Sequence, residues 1–228
     1  MTRVKICGIT NLDDALAAVE CGADALGFNF AAGPRKIAPS LAREIIVNLP
    51  PFAAIVGVFI GEDLEITTIA DDCGIQVIQL HGGESEEFAR RLASCPDPVE
   101  ACGSGERILR QAQDARLRPI IRVIHASDES AIEAIPKYAS ASAILLDASV
   151  PGKLGGTGRT FDWEIAIRAK EYGKPLVLAG GLNPANVAQA VTKVRPYAVD
   201  VASGVESSPG KKDHKLMKEF IQNVRALD

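Results

Sequence analysis

Eight short apolar runs alternating with eight amphipathic stretches over 228 residues predict an α/β fold, a single-domain (β/α)8 TIM barrel spanning 1–228. The runs are nearly continuous in hydrophobic residues, as strands buried on both faces of a parallel sheet must be. Glycine-rich turns follow the sixth, seventh and eighth runs and would need to converge in space, which favours closure of the sheet. A doubly wound open sheet is the alternative. The chain is short enough for one core, and its 47% apolar and 24% charged residues are ordinary for a globular protein.

The first strand is Arg3–Ile6, which stops at Cys7-Gly8. Asn11 with Asp13 and Asp14 opens a helix, since a short polar side chain caps orphan N–H groups and carboxylates complement the dipole; it ends near Cys21-Gly22. Ala25–Phe28 is the second strand, and Ser40 opens the second helix. Ala54–Phe59 is the third, followed by a helix from Asp63 to Cys73-Gly74. Val77–Leu80 is the fourth, with Ser85, Glu86 and Glu87 opening its helix. Ile120–Ile124 is the fifth, followed by a helix over Asp128–Ala139. Ala143–Leu146 is the sixth, with a helix over Asp162–Tyr172 that Gly173 stops. Leu176–Leu178 is the seventh, and Asn183-Pro184 starts its helix, because Pro at the first helical position gives up no hydrogen bond. Ala198–Val201 is the eighth, and a last helix runs from about Asp213 to Ala226. The stretch 96–118 is longer than a helix-to-strand return needs. Glu106–Leu117 reads as an additional helix in a peripheral insertion, or else Val99–Cys102 is a strand and the fifth moves.

A formal net charge of −4 and no basic block argue against nucleic acid, which needs a cationic surface. Any anionic ligand must be held by local donors. Cys7, Cys21, Cys73, Cys95 and Cys102 are odd in number and irregularly spaced, with no C-x-x-C pair, so neither disulfides nor a zinc site is expected and a reducing, cytoplasmic compartment is. The last four read as small packed side chains. The N-terminus reads directly into a strand with no charged-then-apolar pattern, so no leader is expected, and no apolar run reaches membrane-spanning length. The expected partner is a small phosphorylated molecule bound to a monomer or homodimer, with no nucleic acid and no membrane.

The chemistry-bearing residues sit at strand exits. Cys7 and Asp147 follow the first and sixth strands, on the face where barrels carry catalysis. A thiol with an ordinary pKa of about 8.5 can serve as a base near neutral pH, and a carboxyl can serve as an acid if shielded. The competing readings are a small core cysteine and a carboxylate bonded to nearby backbone. Gly155-Gly156-Thr157-Gly158, Ala179-Gly180-Gly181 and Ala202-Ser203-Gly204 form a candidate phosphate cradle, because glycine lets backbone N–H groups approach an anion closely. Arg35, after the second strand, offers a planar fork for a carboxylate, with Lys36 a less selective alternative. His81 either helps hold the substrate or bonds to backbone, and His125 carries the same ambiguity. His214 reads as solvated, and Asp200 and Glu206 as structural groups. No His/Asp/Glu cluster has metal-ligand spacing, so no metal is expected.

These residues resemble the phosphoribosylanthranilate isomerase family of tryptophan biosynthesis over nearly the whole chain. The resemblance rests on Lys5-Ile6-Cys7-Gly8-Ile9-Thr10, Gly27-Phe28 with Pro34-Arg35, Val56-Gly57-Val58-Phe59, Gln79-Leu80-His81-Gly82, Leu145-Leu146-Asp147, Gly155-Gly156-Thr157-Gly158 with Phe161-Asp162-Trp163, Leu178-Ala179-Gly180-Gly181-Leu182-Asn183-Pro184 and Ser203-Gly204-Val205-Glu206. Gly33 stands where serine usually precedes Pro-Arg, Gly61 where asparagine is common, and Ala202 where serine is frequent; none touches Cys7 or Asp147. The resemblance implies an Amadori rearrangement of N-(5′-phosphoribosyl)anthranilate to 1-(2-carboxyphenylamino)-1-deoxyribulose 5-phosphate. Asp147 would be the general acid, Cys7 the general base and Arg35 the partner of the anthranilate carboxylate. Gly156, Gly180, Gly181, Ser203 and Gly204 would grip the phosphate, with no metal or organic cofactor needed. ProFAR isomerase of histidine biosynthesis is a rival, but it typically places aspartate where Cys7 stands. A lysine Schiff-base lyase is disfavoured because no strand end presents a lysine. A silent phosphosugar-binding protein would not need both Cys7 and Asp147.

Overall fold

In the computed structural model, which describes residues 1–93, 118–126, 129–147 and 163–227, the apolar runs pair side by side, in parallel and in chain order. The strands are β1 (Arg3–Cys7), β2 (Ala25–Asn29), β3 (Ala54–Phe59), β4 (Val77–Leu80), β5 (Ile120–His125), β6 (Ala143–Asp147), β7 (Leu176–Leu178) and β8 (Ala198–Val201). β8 returns to β1 with Lys5 opposite Asp200, which closes the ring and excludes the open sheet. Four strands run one residue beyond the predicted ends, so Cys7, Asn29, His125 and Asp147 are themselves terminal strand residues. Ile120–His125 is β5, hydrogen-bonded between β4 and β6. The predicted insertion over 96–118, apart from Arg118, lies outside the described residues; Arg118 donates from Nε to Ile75 O at 3.0 Å and pairs with Asp71.

The helices cover the barrel as α1 (Leu12–Glu20), α2 (Pro39–Val47), α3 (Glu65–Cys73), α4 (Glu86–Ala93), α5 (Trp163–Ala169), α6 (Val187–Val194) and α7 (His214–Arg225). Asn11 caps α1 by accepting from Asp14 N, Ser85 Oγ accepts from Phe88 N, and Asp213 caps α7 through Lys215 N and Leu216 N. Gly74 stops α3, and Gly173 stops the 3₁₀ turn Lys170–Tyr172 into which the predicted helix passes after α5, both in the left-handed region at φ 74° and 77°. Two starts shift. α2 begins at Pro39 rather than Ser40, since proline's fixed φ suits the first helical position. Asn183-Pro184 begins a turn in which Asn183 Oδ1 accepts from Ala185 N, and regular α6 starts only at Val187. The segment after β5 is a 3₁₀ helix, Glu129–Lys137, rather than an α-helix, with Pro136 in its last turn. A small antiparallel pair, β9 (Glu206–Ser208) and β10 (Lys211–Lys212), follows β8, turning at Gly210 with φ 82°. Its strands are too short to show a period in sequence.

Strand alternation sorts the side chains into two cores. Val4, Ile6, Leu26, Phe28, Ile144, Leu146, Leu178 and Val199 pack outward against the helices. Val123, Ala143, Leu145, Val177, Ala179 and Ala198 cluster together inside the barrel. The inward parity therefore runs through Lys5 and Cys7, Gln79 and His81, Val123 and His125, Leu145 and Asp147, and Ala198 and Asp200. No helix among the described residues is long and apolar enough to cross a membrane.

Candidate active site

The last inward residues of β1, β5 and β6 are Cys7, His125 and Asp147, with His81 just past β4, so four polar side chains rim one mouth. Beneath Cys7, the Lys5 ammonium donates to Asp200 Oδ1 at 3.0 Å, in a pair whose side chains are 4% and 9% exposed. The Lys5 ammonium also favours the charged form of the Cys7 sulfur. Gly27 is what makes room: a Cβ there would stand 2.8 Å from Cys7 Sγ and 3.2 Å from Lys5 Cε. Burial pushes the Cys7 thiol above its ordinary value; the Lys5 and Lys212 ammonium groups pull it back, and Asp200 adds to the rise.

His81 Nε2 lies 3.8 Å from Asp147 Oδ2, and the His81 and His125 rings stand 5.3 Å apart. Burial lowers the His81 pKa; Asp147 opposes that and His125 adds to it. His81 is thus largely neutral at neutral pH. Lys5 and Asp200 also act on His81, which puts the groups beneath Cys7 in electrostatic reach of the Asp147 side of the mouth. His81, His125 and Asp147, separated in sequence by tens of residues, each bring a donor atom within 4.8 Å of the others. Spacing along the chain could not reveal that group.

Arg35 is not a free fork. Its Nε and Nη2 bind Glu206 Oε1 and Oε2 at 2.8 and 2.7 Å, leaving three of its five N–H donors for another partner. Gly8 lies under the Arg35 stem, where a Cβ would come within 2.5 Å of Cδ. Glu206 also accepts from Lys212 Nζ at 2.9 Å. Burial alone would raise the Glu206 carboxyl, but Arg35 and Lys212 outweigh it and hold it below its ordinary value. Lys212 is a residue sequence reasoning missed. Its Nζ donates to Cys7 O (2.6 Å), Ala202 O (3.1 Å) and Glu206, so all three ammonium protons are committed. A lysine therefore does lie against the end of β1, but as a brace and not as an amine nucleophile. The structural readings of Asp200 and Glu206 fit these contacts. His214 is solvated as read, half of its side chain being exposed, and because α7 packs beside α1 its Nε2 also lies 2.8 Å from Asp14 Oδ1.

The loops after β7 and β8 meet. A Cβ on Gly204 would stand 1.9 Å from Leu182 O, so only glycine fits between Ser203 and Val205. Gly180 and Gly181 take φ of 80° and 68°, the left-handed region open to glycine. Asn183 and Asn186 fix that turn by donating side-chain N–H to Gly181 O at 3.3 and 3.0 Å. Gly156, with the rest of 155–158, lies outside the described residues, as do Asp162, Cys95 and Cys102. Cys21 and Cys73 are free thiols, half-buried and buried, at helix ends.

Opposite the cradle, the loops after β3 and β4 are tied by Glu84, whose carboxylate accepts from Gly61 N at 2.9 Å and Gly82 N at 3.1 Å. Arg122 of β5 bonds to the Glu84 carbonyl and lies 4.6 Å over the Tyr138 ring.

A model of the N-(5′-phosphoribosyl)anthranilate isomerase family matches residues 4–101 and 103–223. The curated N-(5′-phosphoribosyl)anthranilate isomerase of Geobacter sp. strain M21 is 47% identical over 229 residues, covering 100% of both chains. The crystal structure of phosphoribosyl anthranilate isomerase from Thermotoga maritima superposes with a TM-score of 0.83 at 42% identity, over 99% of this chain and 100% of that one. A phosphoribosyl anthranilate isomerase solved in complex with reduced 1-(o-carboxyphenylamino)-1-deoxyribulose 5-phosphate gives a TM-score of 0.79 at 41% identity, over 99% and 100%. With a family model matched across nearly its whole length and relatives this similar, the chain belongs to the N-(5′-phosphoribosyl)anthranilate isomerase family.

Proposed function

We propose that this isomerase of tryptophan biosynthesis converts N-(5′-phosphoribosyl)anthranilate to 1-(2-carboxyphenylamino)-1-deoxyribulose 5-phosphate with Asp147 as general acid and Cys7 as general base. Asp147 delivers its proton to the furanose ring oxygen as the C1′–O bond breaks, and the anthranilate nitrogen supplies the electron pair that leaves a C1′ iminium. The iminium acidifies the C2′ hydrogen, which the Cys7 thiolate removes to give an enolamine. Tautomerisation places a proton on C1′ and a ketone at C2′, so the reaction is internally balanced and calls for no redox partner. The carrying observation is the placement of Cys7 and Asp147 as inward, terminal residues of strands three apart around the ring, on facing arcs of one mouth.

Binding at both ends positions the sugar between acid and base. The three spare N–H donors of Arg35, aimed by its bidentate bond to Glu206, suit the anthranilate carboxylate. The touching turns at Gly180-Gly181 and Ser203-Gly204 suit the phosphate, and His81, largely neutral, can hold the sugar between them. The free thiols of Cys7, Cys21 and Cys73 fit a reducing compartment, and we place the enzyme in the cytoplasm.

Turnover of phosphoribosylanthranilate formed in situ tests the reading. Cys7→Ala and Asp147→Asn should each lower kcat by at least ~10²-fold, the low end for general acid–base catalysis. Turnover near that of the parent in either variant removes that residue from the mechanism. Arg35→Met should chiefly raise KM; an unchanged KM would place the carboxylate elsewhere.

A further inference from the structure

We propose that His81, His125 and Asp147 form a binding site for a divalent transition ion of the zinc class, and that filling it shuts off turnover. The three residues lie at the ends of β4, β5 and β6, with His125 and Asp147 direct register partners. One donor atom from each lies within 4.8 Å of the other two, and the His81–Asp147 pair is already at 3.8 Å. Zinc bonds of ~2.0–2.2 Å place tetrahedral ligands about 3.4 Å apart. The cluster is therefore roughly an ångström or so wider than a filled site, a gap that side-chain rotation at strand ends can close.

The donor chemistry is selective. Two imidazoles and one carboxylate suit zinc, cobalt and their neighbours, whereas magnesium and calcium prefer all-oxygen shells. Nδ1 of His125 is buried with no hydrogen-bond partner among the described residues, so that atom does not tie the ring to the protein. His81 and Asp147 keep 27% and 16% of their side chains exposed, which lets an ion enter from the mouth. Three protein ligands leave a coordination position open toward the cavity. An ion held there takes the carboxylate lone pairs that Asp147 would need to carry its proton. This inhibitory half rests on the acid role proposed for Asp147; binding itself does not.

Metal-free protein titrated with cobalt(II), followed by its visible d–d absorption, and then with zinc as competitor, tests the site. One equivalent should bind. His81→Ala and His125→Ala should each weaken binding by at least ~10-fold, the loss that even outer-shell substitutions typically cause. Cys7→Ser should bind as the parent does. No saturable binding, undiminished binding in either histidine variant, or loss in Cys7→Ser (an ion on the sulfur instead) would each overturn the site. In the assay, zinc should inhibit with a constant matching its Kd, and the constant should rise with the same ratio in His125→Ala, each enzyme being compared with its own metal-free rate. Stoichiometric binding without inhibition would overturn the shut-off, whereas the acid role fails separately, in metal-free Asp147→Asn.

Discussion

Cys7 is a base held by two opposing influences. Burial raises the thiol above its ordinary value, while Lys5, two residues earlier on the same inward face, and Lys212, bonded to the Cys7 carbonyl, favour the thiolate. Because the net shift is upward, kcat/KM should climb with pH through neutrality and level off only above that ordinary value. Lys5→Met removes the cation with the larger pull on the thiol and should move this limb further to the alkaline side. The rate of Cys7 alkylation against pH, read by mass spectrometry to separate it from Cys21 and Cys73, reports the same titration directly. A limb that stays put in Lys5→Met would show that the buried lysine serves only its ion pair with Asp200. Cys7 and Asp147 were visible in sequence as polar residues ending apolar runs; Lys5 was not, because a lysine inside a strand looks like a solvated residue until β8 brings Asp200 beside it.

At the scale of elements, glycines set how closely the loops approach. Gly27→Ala places a methyl against Cys7 Sγ and the Lys5 stem. Displacing the sulfur should cost kcat by about 10–10²-fold, since an ångström of misplacement is enough for that, with KM much less affected. Gly204→Ala drives a methyl into Leu182 O and should force apart the β7 and β8 loops. It should cost about 1–3 kcal/mol of stability in urea unfolding, as overpacking does, and raise KM through the phosphate end. Unchanged KM and stability would mean the cradle tolerates a side chain there. Glycine-rich turns were legible in sequence as a class. Which of them touch was not, because that depends on strand order around the ring. The 3₁₀ form of Glu129–Lys137 shows the same limit, since its apolar spacing suits either helix.

For the whole molecule, the segment after β8 locks the two ends of the chain together. Glu206 binds Arg35 and Lys212, Lys212 N donates to Asp14 Oδ2 at 2.8 Å, and Arg225 Nη1 donates to Thr2 O at 2.8 Å. Glu206→Gln would leave two cations facing a neutral amide and should cost about 3 kcal/mol, the scale for breaking a buried pair from one side. Glu206 and Asp14 both titrate below their ordinary values of 4.5 and 3.8 in the folded state, Asp14 because the Lys212 N–H, Asn11 and His214 outweigh its burial. The stability they add is therefore complete above those ordinary values and is lost as pH falls through the folded ones. Urea midpoints should drop along that acid range in the parent and more shallowly in Glu206→Gln; parallel slopes would remove Glu206 as a source of acid lability.

By itself the sequence determined the order of strands and helices and, to within a residue, where the strands end, because those depend on local periodicity, capping and burial that each segment carries within itself; the choice of closed barrel over open sheet came with the pairing of β8 to β1. Tertiary structure alone decided the partnerships: Lys5 under Cys7, Glu206 gripping Arg35, Lys212 bracing β1, and the meeting of His81 and His125 with Asp147. Those side chains lie tens to about two hundred residues apart or on a strand's hidden face, and only closing the ring sets the distances on which their charges and hydrogen bonds depend.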